Sequence, residues 1–136
     1  MQSDHSESII FGYVNPPAGH VEIGETIDSA VRRELKEETG LENIANIKVR
    51  GFINVKGFKD SPVFMIVVSA TISDDSQPIL KDEGTPVWIF PRELKSHKVL
   101  EDVEKIITLA QKTPEDEIFQ VASECINRKL VSFHTA

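Results

Sequence analysis

Residues Gly19 to Leu41 read GHVEIGETIDSAVRRELKEETGL, and the spacing of charges in this stretch decides how the chain is read. Thr26 can cap a first helical turn, Asp28 places a negative charge in that turn, and Gly40 offers a left-handed exit, so a helix is predicted over 27–39. At 100° per residue, Ile27, Ala30, Val31 and Leu35 form one apolar stripe. The same wheel places Glu34 and Glu38 within the stripe and Glu37 on its flank, three and four positions apart. A Glu-rich helix face ordinarily turns to water. Here two carboxylates point to the core side, where an unpaired charge is costly and demands a raised pKa, a cationic partner or a bound metal. Arg33, four residues before Glu37, can serve one of them. Three carboxylates outnumber one guanidinium. Clustered hard oxygen donors suit Mg²⁺, which binds through a few carboxylates together with the phosphates of a substrate.

The surrounding chain bounds what such a helix can belong to. With 136 residues, 40% hydrophobic and 27% charged, it has room for one ordinary core, and a single domain over 1–136 is expected. No run approaches the roughly 20 apolar residues of a membrane span, and the polar residues 1–7 lack the order of a secretory signal. A soluble, cytoplasmic protein without a membrane partner is the expectation. The net charge of −7, with Lys and Arg scattered, argues against a nucleic-acid polymer as partner. An acidic chain that handles anionic phosphates needs metal cations to reconcile the charges. Cys125 is the single cysteine, so neither an internal disulfide nor a zinc cluster can form, and it reads as a small core residue.

Before the predicted helix, residues 8–14 are rich in β-branched and aromatic side chains and are stopped by Asn15-Pro16-Pro17, which reads as a short strand entering a loop. After it, strands are predicted at 45–55 and 63–72, joined as a hairpin by the turn at 56–62, and a third strand at 85–90. Pro91 begins a short helical turn, and Val99, Val103, Ile106, Ile107 and Ala110 mark a helix over 99–111. Thr113-Pro114 reads as another helix start, with Ile118, Val121, Ala122, Cys125 and Ile126 continuing an apolar stripe towards Leu130.

The stretch resembles the Nudix box, Gly-x5-Glu-x7-Arg-Glu-(apolar)-x-Glu-Glu-x-Gly-(apolar), and every specified position matches. A chance match at one starting position is on the order of 10⁻⁹ at ordinary residue frequencies. The flanking Pro17-Ala18-Gly19-His20 is similar to the loop form of some nucleotide and thiamine-diphosphate phosphohydrolases of that family. Motif-level likeness covers about a fifth of the chain. The resemblance implies an α/β fold, a Nudix-like α/β/α sandwich around a mixed β-sheet. It also implies Mg²⁺-dependent hydrolysis of a phosphoanhydride bond in a nucleoside di- or triphosphate or a related small diphosphate, with Mn²⁺ as a possible substitute.

Residue by residue, the resemblance makes Glu34 metal ligand and general base, gives Glu37, Glu38 and the Gly19 carbonyl to metal, and has Arg33 orient the acidic cluster with Glu25. Family members also carry a glutamate in a loop before the last core strand, for which Glu83 is the candidate; as a residue it reads equally well as a solvated turn. Such members have two strands ahead of the box, where this sequence offers only residues 1–18. A domain lacking one or more N-terminal strands is therefore expected, with a homodimer supplying the strand in trans as one remedy. The alternative function is a catalytically inactive Nudix-like module that binds a nucleotide or a protein. Tyr13 and Trp88 read as packing residues, His20 as a structural or solvated loop residue, and Lys56 and Lys59 as solvated turn lysines.

Overall fold

A computed structural model of the chain describes residues 16–58, 60–73, 89–127 and 129–136. In chain order these form helix α1 (Ile27–Thr39), strands β1 (Ile44–Lys56) and β2 (Val63–Ile72), a 3₁₀ helix (Pro91–Ser96), helix α2 (Glu101–Lys112) and strands β3 (Phe119–Ile126) and β4 (Lys129–Thr135). The four strands make one sheet in the order β2-β1-β3-β4. β1 pairs with β3 in parallel and β3 with β4 antiparallel, so the sheet is mixed and the fold is α/β, as expected. Contacts group the chain into two compact units, Met1–Ile47 with Ala70–Leu100 and Lys48–Ser69 with Glu101–Ala136.

In the first unit, α1 has the bounds that its caps dictate. Thr26 Oγ1 accepts the Ser29 N–H at 3.1 Å while Ser29 Oγ accepts the Thr26 N–H at 3.0 Å, a reciprocal box that satisfies two amides the first turn would otherwise leave unpaired. At the other end Gly40, in the left-handed conformation, donates its N–H to Lys36 O at 2.9 Å. Thr39 is buried. Its hydroxyl donates to Leu35 O at 2.6 Å and accepts the Leu41 N–H at 3.3 Å, turning the chain towards β1. Among the described residues of this unit, Ala30, Leu41, Ile44 and Leu94 are the buried apolar side chains.

The second unit holds the tightest core, Ile53, Val55, Phe119 and Val121, with Met65, Val67, Ile106, Leu109, Ala110 and Phe133 packed against it. Ile53 lies opposite Val121 in the parallel register, so the two share the face that α2 lines with Ile106, Leu109 and Ala110. Arg50 Nη2 donates to Ala110 O at 2.9 Å and Thr113 O at 2.7 Å, supplying partners for carbonyls that α2 cannot satisfy internally. Ile53 is fully buried, so Ile53→Ala is expected to cost about 2–5 kcal/mol of unfolding free energy. Urea denaturation would show it as a lowered midpoint with unchanged slope; an unchanged midpoint would contradict the placement of the core.

The structure corrects one element. The helix expected from Pro114 towards Leu130 is instead the hairpin β3–β4. Phe119, Val121, Ser123 and Cys125 are buried and their neighbours Gln120, Ala122 and Ile126 exposed, a period of two, with Ile118 and Ile126 of the supposed stripe half exposed. The spacing 118, 121, 122, 125 satisfies both periods over so short a run. Pairing with β1, more than sixty residues earlier, selects the strand. Asn127, at φ 51°, begins the turn. Cys125 is buried and free, as expected, and burial pushes its thiol pKa up. The strand expected at 8–14, most of that at 85–90, and Tyr13, Lys59, Glu83 and Trp88 lie outside the described residues.

Candidate active site

Arg33 is the hub of the site. Its Nε and Nη2 grip Glu25 in a two-pronged contact, at 2.8 Å to Oε2 and 2.9 Å to Oε1. Nη1 reaches Glu34 Oε1 at 2.7 Å and Glu37 Oε2 at 3.3 Å, and Nη2 also donates to the carbonyl of His20 at 2.8 Å. Glu22 Oε1 lies 3.9 Å from Nη1. A planar guanidinium with five donors suits this task as an ammonium would not. The helical spacing had offered Glu37 as the partner of Arg33. The structure gives the short contacts to Glu25 and Glu34 and leaves Glu37 the longest of the three hydrogen-bonded carboxylates.

The burial of the carboxylates follows the helix wheel. The Glu34 side chain is 22% exposed and Glu37 56%, while Glu38 is partly buried with its Oε2 shielded from solvent. Glu25 sits at the end of a tight turn in which its N–H bonds Glu22 O at 3.1 Å and its Oε1 accepts the Glu22 N–H at 2.9 Å. The Arg33 guanidinium, aided by that backbone bond, holds the Glu25 carboxyl down at about 2, and the same contacts push Arg33 upwards.

The unfolded chain, with Glu25 near 4.5, takes up the proton first, so the contribution of this pair is complete above that pH and is lost as pH falls towards about 2. The melting-temperature gap between the metal-free protein and its Glu25→Gln variant is therefore expected to shrink steadily from pH 6 to pH 2.5. A gap that stays constant would contradict it.

Gly19 lies where the loop meets α1. A Cβ placed on it would overlap the carboxylate of Glu34, so the glycine backbone and that carboxylate touch directly and no larger residue fits without displacing Glu34. Backbone carbonyl, Glu34, Glu37 and Glu38 offer oxygen donors only, the set that suits a hard divalent cation. Among the described residues no three acidic, histidine or cysteine side chains form a ready cage, and Arg33 engages both Glu34 and Glu37. Donor type and close approach fit a cation whose remaining positions are filled by substrate phosphate and water.

The site thus brings Gly19, Glu25, Arg33, Glu34 and Glu37 together. Sequence reasoning missed Glu22 and the His20 carbonyl as members of the Arg33 network; the Glu22-Ile-Gly-Glu25 turn was the available signal. Lys56 is turned to Glu124, 3.5 Å away, and His20 is exposed in the loop.

Comparison with known proteins identifies the family and the fold. The model of the NUDIX domain family matches residues 2–111. An uncharacterised Nudix hydrolase of Nostoc sp. is 34% identical over 77 residues, covering 56% of this chain and 45% of that protein. An ADP-ribose pyrophosphatase of Saccharomyces cerevisiae is 31% identical over 96 residues, covering 68% of this chain and 41% of that protein. The chain thus spans less than half the length of these curated relatives. The crystal structure of a MutT protein from Bacillus halodurans superposes with a TM-score of 0.75 at 20% identity, over 91% of this chain and 82% of the other, and shares its fold. No helix among the described residues is long and apolar enough to cross a membrane. With the box complete, its side chains gathered on Arg33 and the family model matched over most of the sequence, the chain belongs to the Nudix family.

Proposed function

We propose that the chain is a Mg²⁺-dependent hydrolase of the phosphoanhydride bond in a nucleoside di- or triphosphate or a related small diphosphate. The observation that carries this reading is the direct contact of the Glu34 carboxylate with the Gly19 backbone, with Arg33 bonded both to that carboxylate and to the carbonyl of the next loop residue, His20. In this reading the Gly19 carbonyl, Glu34, Glu37 and Glu38 hold the cation. A divalent cation bound there, Mg²⁺ or Mn²⁺, supplies neutralisation of phosphate charge and of the charge that develops on the leaving group.

The chain's own residues do the rest. Glu34 takes a proton from the attacking water as its oxygen bonds to phosphorus and the P–O bond to the departing phosphate breaks. Arg33, held by Glu25, keeps Glu34 from swinging away and anchors the loop through His20 O. Glu83, which lies outside the described residues, is the sequence's candidate for a further acidic residue acting on the same reaction.

The yeast relative brings ADP-ribose into the substrate set, although the proline that ADP-ribose members show some fifteen residues past the box is replaced here by Lys56-Gly57. A product analysis by chromatography settles the class: nucleoside di- and triphosphates, ADP-ribose, nucleotide sugars and thiamine diphosphate, each with Mg²⁺ and with chelator. Mg²⁺-dependent cleavage of at least one is expected. No cleavage of any would favour a Nudix-like binding module.

A further inference from the structure

We infer that Arg32 is a positioning residue, fixing the rotation of α1 through its bond to the start of β1 and so aiming Glu34, Glu37 and Glu38; this rests on reading those carboxylates as metal ligands. Arg32 Nη1 donates to the carbonyl of Ile44 at 2.8 Å, and its Nε to Asp28 Oδ1 at 2.8 Å. Ile44 is the first residue of β1 and is buried, so its carbonyl is a fixed point. Asp28, one turn earlier on α1, holds the guanidinium plane in the direction of that carbonyl.

The geometry converts this bond into control of the site. Glu34 is two residues beyond Arg32, about 200° further around the helix, so the two side chains project to opposite sides of α1. Any roll of α1 that breaks the bond to Ile44 turns Glu34 through the same angle. At roughly 5–6 Å from the axis, a roll of about 10° moves a carboxylate by about 1 Å. Metal–oxygen distances tolerate only about 0.2 Å. The Arg33 network does not prevent such a roll by itself, because its partners lie either on α1, as Glu34 and Glu37 do, or in the segment covalently joined to its start, as Glu25 and the His20 carbonyl do. Lys36 and Glu42, 3.0 Å apart, are each about two-thirds exposed, and a pair of that kind adds little restraint. The Asp28–Arg32 pair is itself half exposed, so its value as an ion pair is small; its effect lies in where it points the second donor.

The test is binding of Mn²⁺ to the substrate-free protein, read by electron paramagnetic resonance, for wild type, Arg32→Met, Arg32→Lys and Asp28→Ala, with melting temperature recorded for each. Arg32→Met keeps the apolar stem and removes both donors. It is expected to bind Mn²⁺ about tenfold more weakly, the lower end of what loss of outer-shell support costs. Arg32→Lys should recover part of that loss, since one donor can still reach Ile44 O, and Asp28→Ala should fall in between. On a cleaved substrate, kcat at saturating metal should fall by a similar factor with KM little changed. Mn²⁺ affinity within twofold of wild type in Arg32→Met, or in Asp28→Ala should Arg32→Met fail to fold, would overturn the inference, whatever happens to the melting temperature. Because the metal measurement needs no substrate, a wild type that binds Mn²⁺ but cleaves nothing would refute the proposed hydrolysis while leaving Arg32 decided on its own.

Discussion

Glu34→Gln is expected to lose about 10²–10⁴ of turnover while keeping its fold. The amide is nearly isosteric with the carboxylate, and its oxygen can still accept from Arg33 Nη1, which now stands 2.7 Å from Glu34 Oε1. The contact with the Gly19 backbone is therefore kept as well. What disappears is the negative charge, and with it both the capacity to take a proton from water and a hard anionic donor. Melting temperature and Mg²⁺-dependent turnover should thus separate: the first nearly unchanged, the second collapsed. Full turnover in the purified variant would remove Glu34 from the base role and move attention to the other acidic residues, Glu37, Glu38 and Glu83.

Gly57→Ala is expected to be among the most destabilising single-methyl changes in the chain, by roughly 3 kcal/mol or more. Gly57 follows β1 at φ 88°, a region that side chains with a Cβ rarely adopt, and a Cβ there would run into the carbonyl of Cys125. That carbonyl belongs to the backbone of β3, where the register with β4 shifts between Glu124 and Cys125. Neither partner can yield as a side-chain tip can. Gly24 provides the control: its φ is 86°, yet nothing lies within 4 Å of the added carbon. Gly24→Ala should therefore cost only the backbone preference, about 1–2 kcal/mol. Equal losses in the two variants would show that the clash at Cys125 relaxes away.

The relation of these two sites to the sequence differs. Glu34 was legible as unusual because a helix repeats every 3.6 residues, and a carboxylate inside an apolar stripe is visible without any tertiary information. Its near neighbours set the helix ends, through Thr26, Ser29 and Gly40, and the structure returns the predicted bounds. The close approach at Gly57 was not legible, since it depends on which strand lies alongside. The same holds for Phe119 to Ile126, where an apolar spacing compatible with a helix becomes a strand once β1 pairs with it.

The sequence by itself determined α1, its caps, the inward set of Glu34 and Glu38 and the family pattern from Gly19 to Leu41, because each depends on interactions within a few residues along one helix. Tertiary structure decided the C-terminal hairpin, the grip of Arg33 on Glu25 and Glu34 before Glu37, and the bond from Arg32 to Ile44. A guanidinium on a helix has several carboxylates and carbonyls within reach. Spacing alone names the candidates, and the turn that brings Glu25 back over α1 and the strand that begins at Ile44 choose among them.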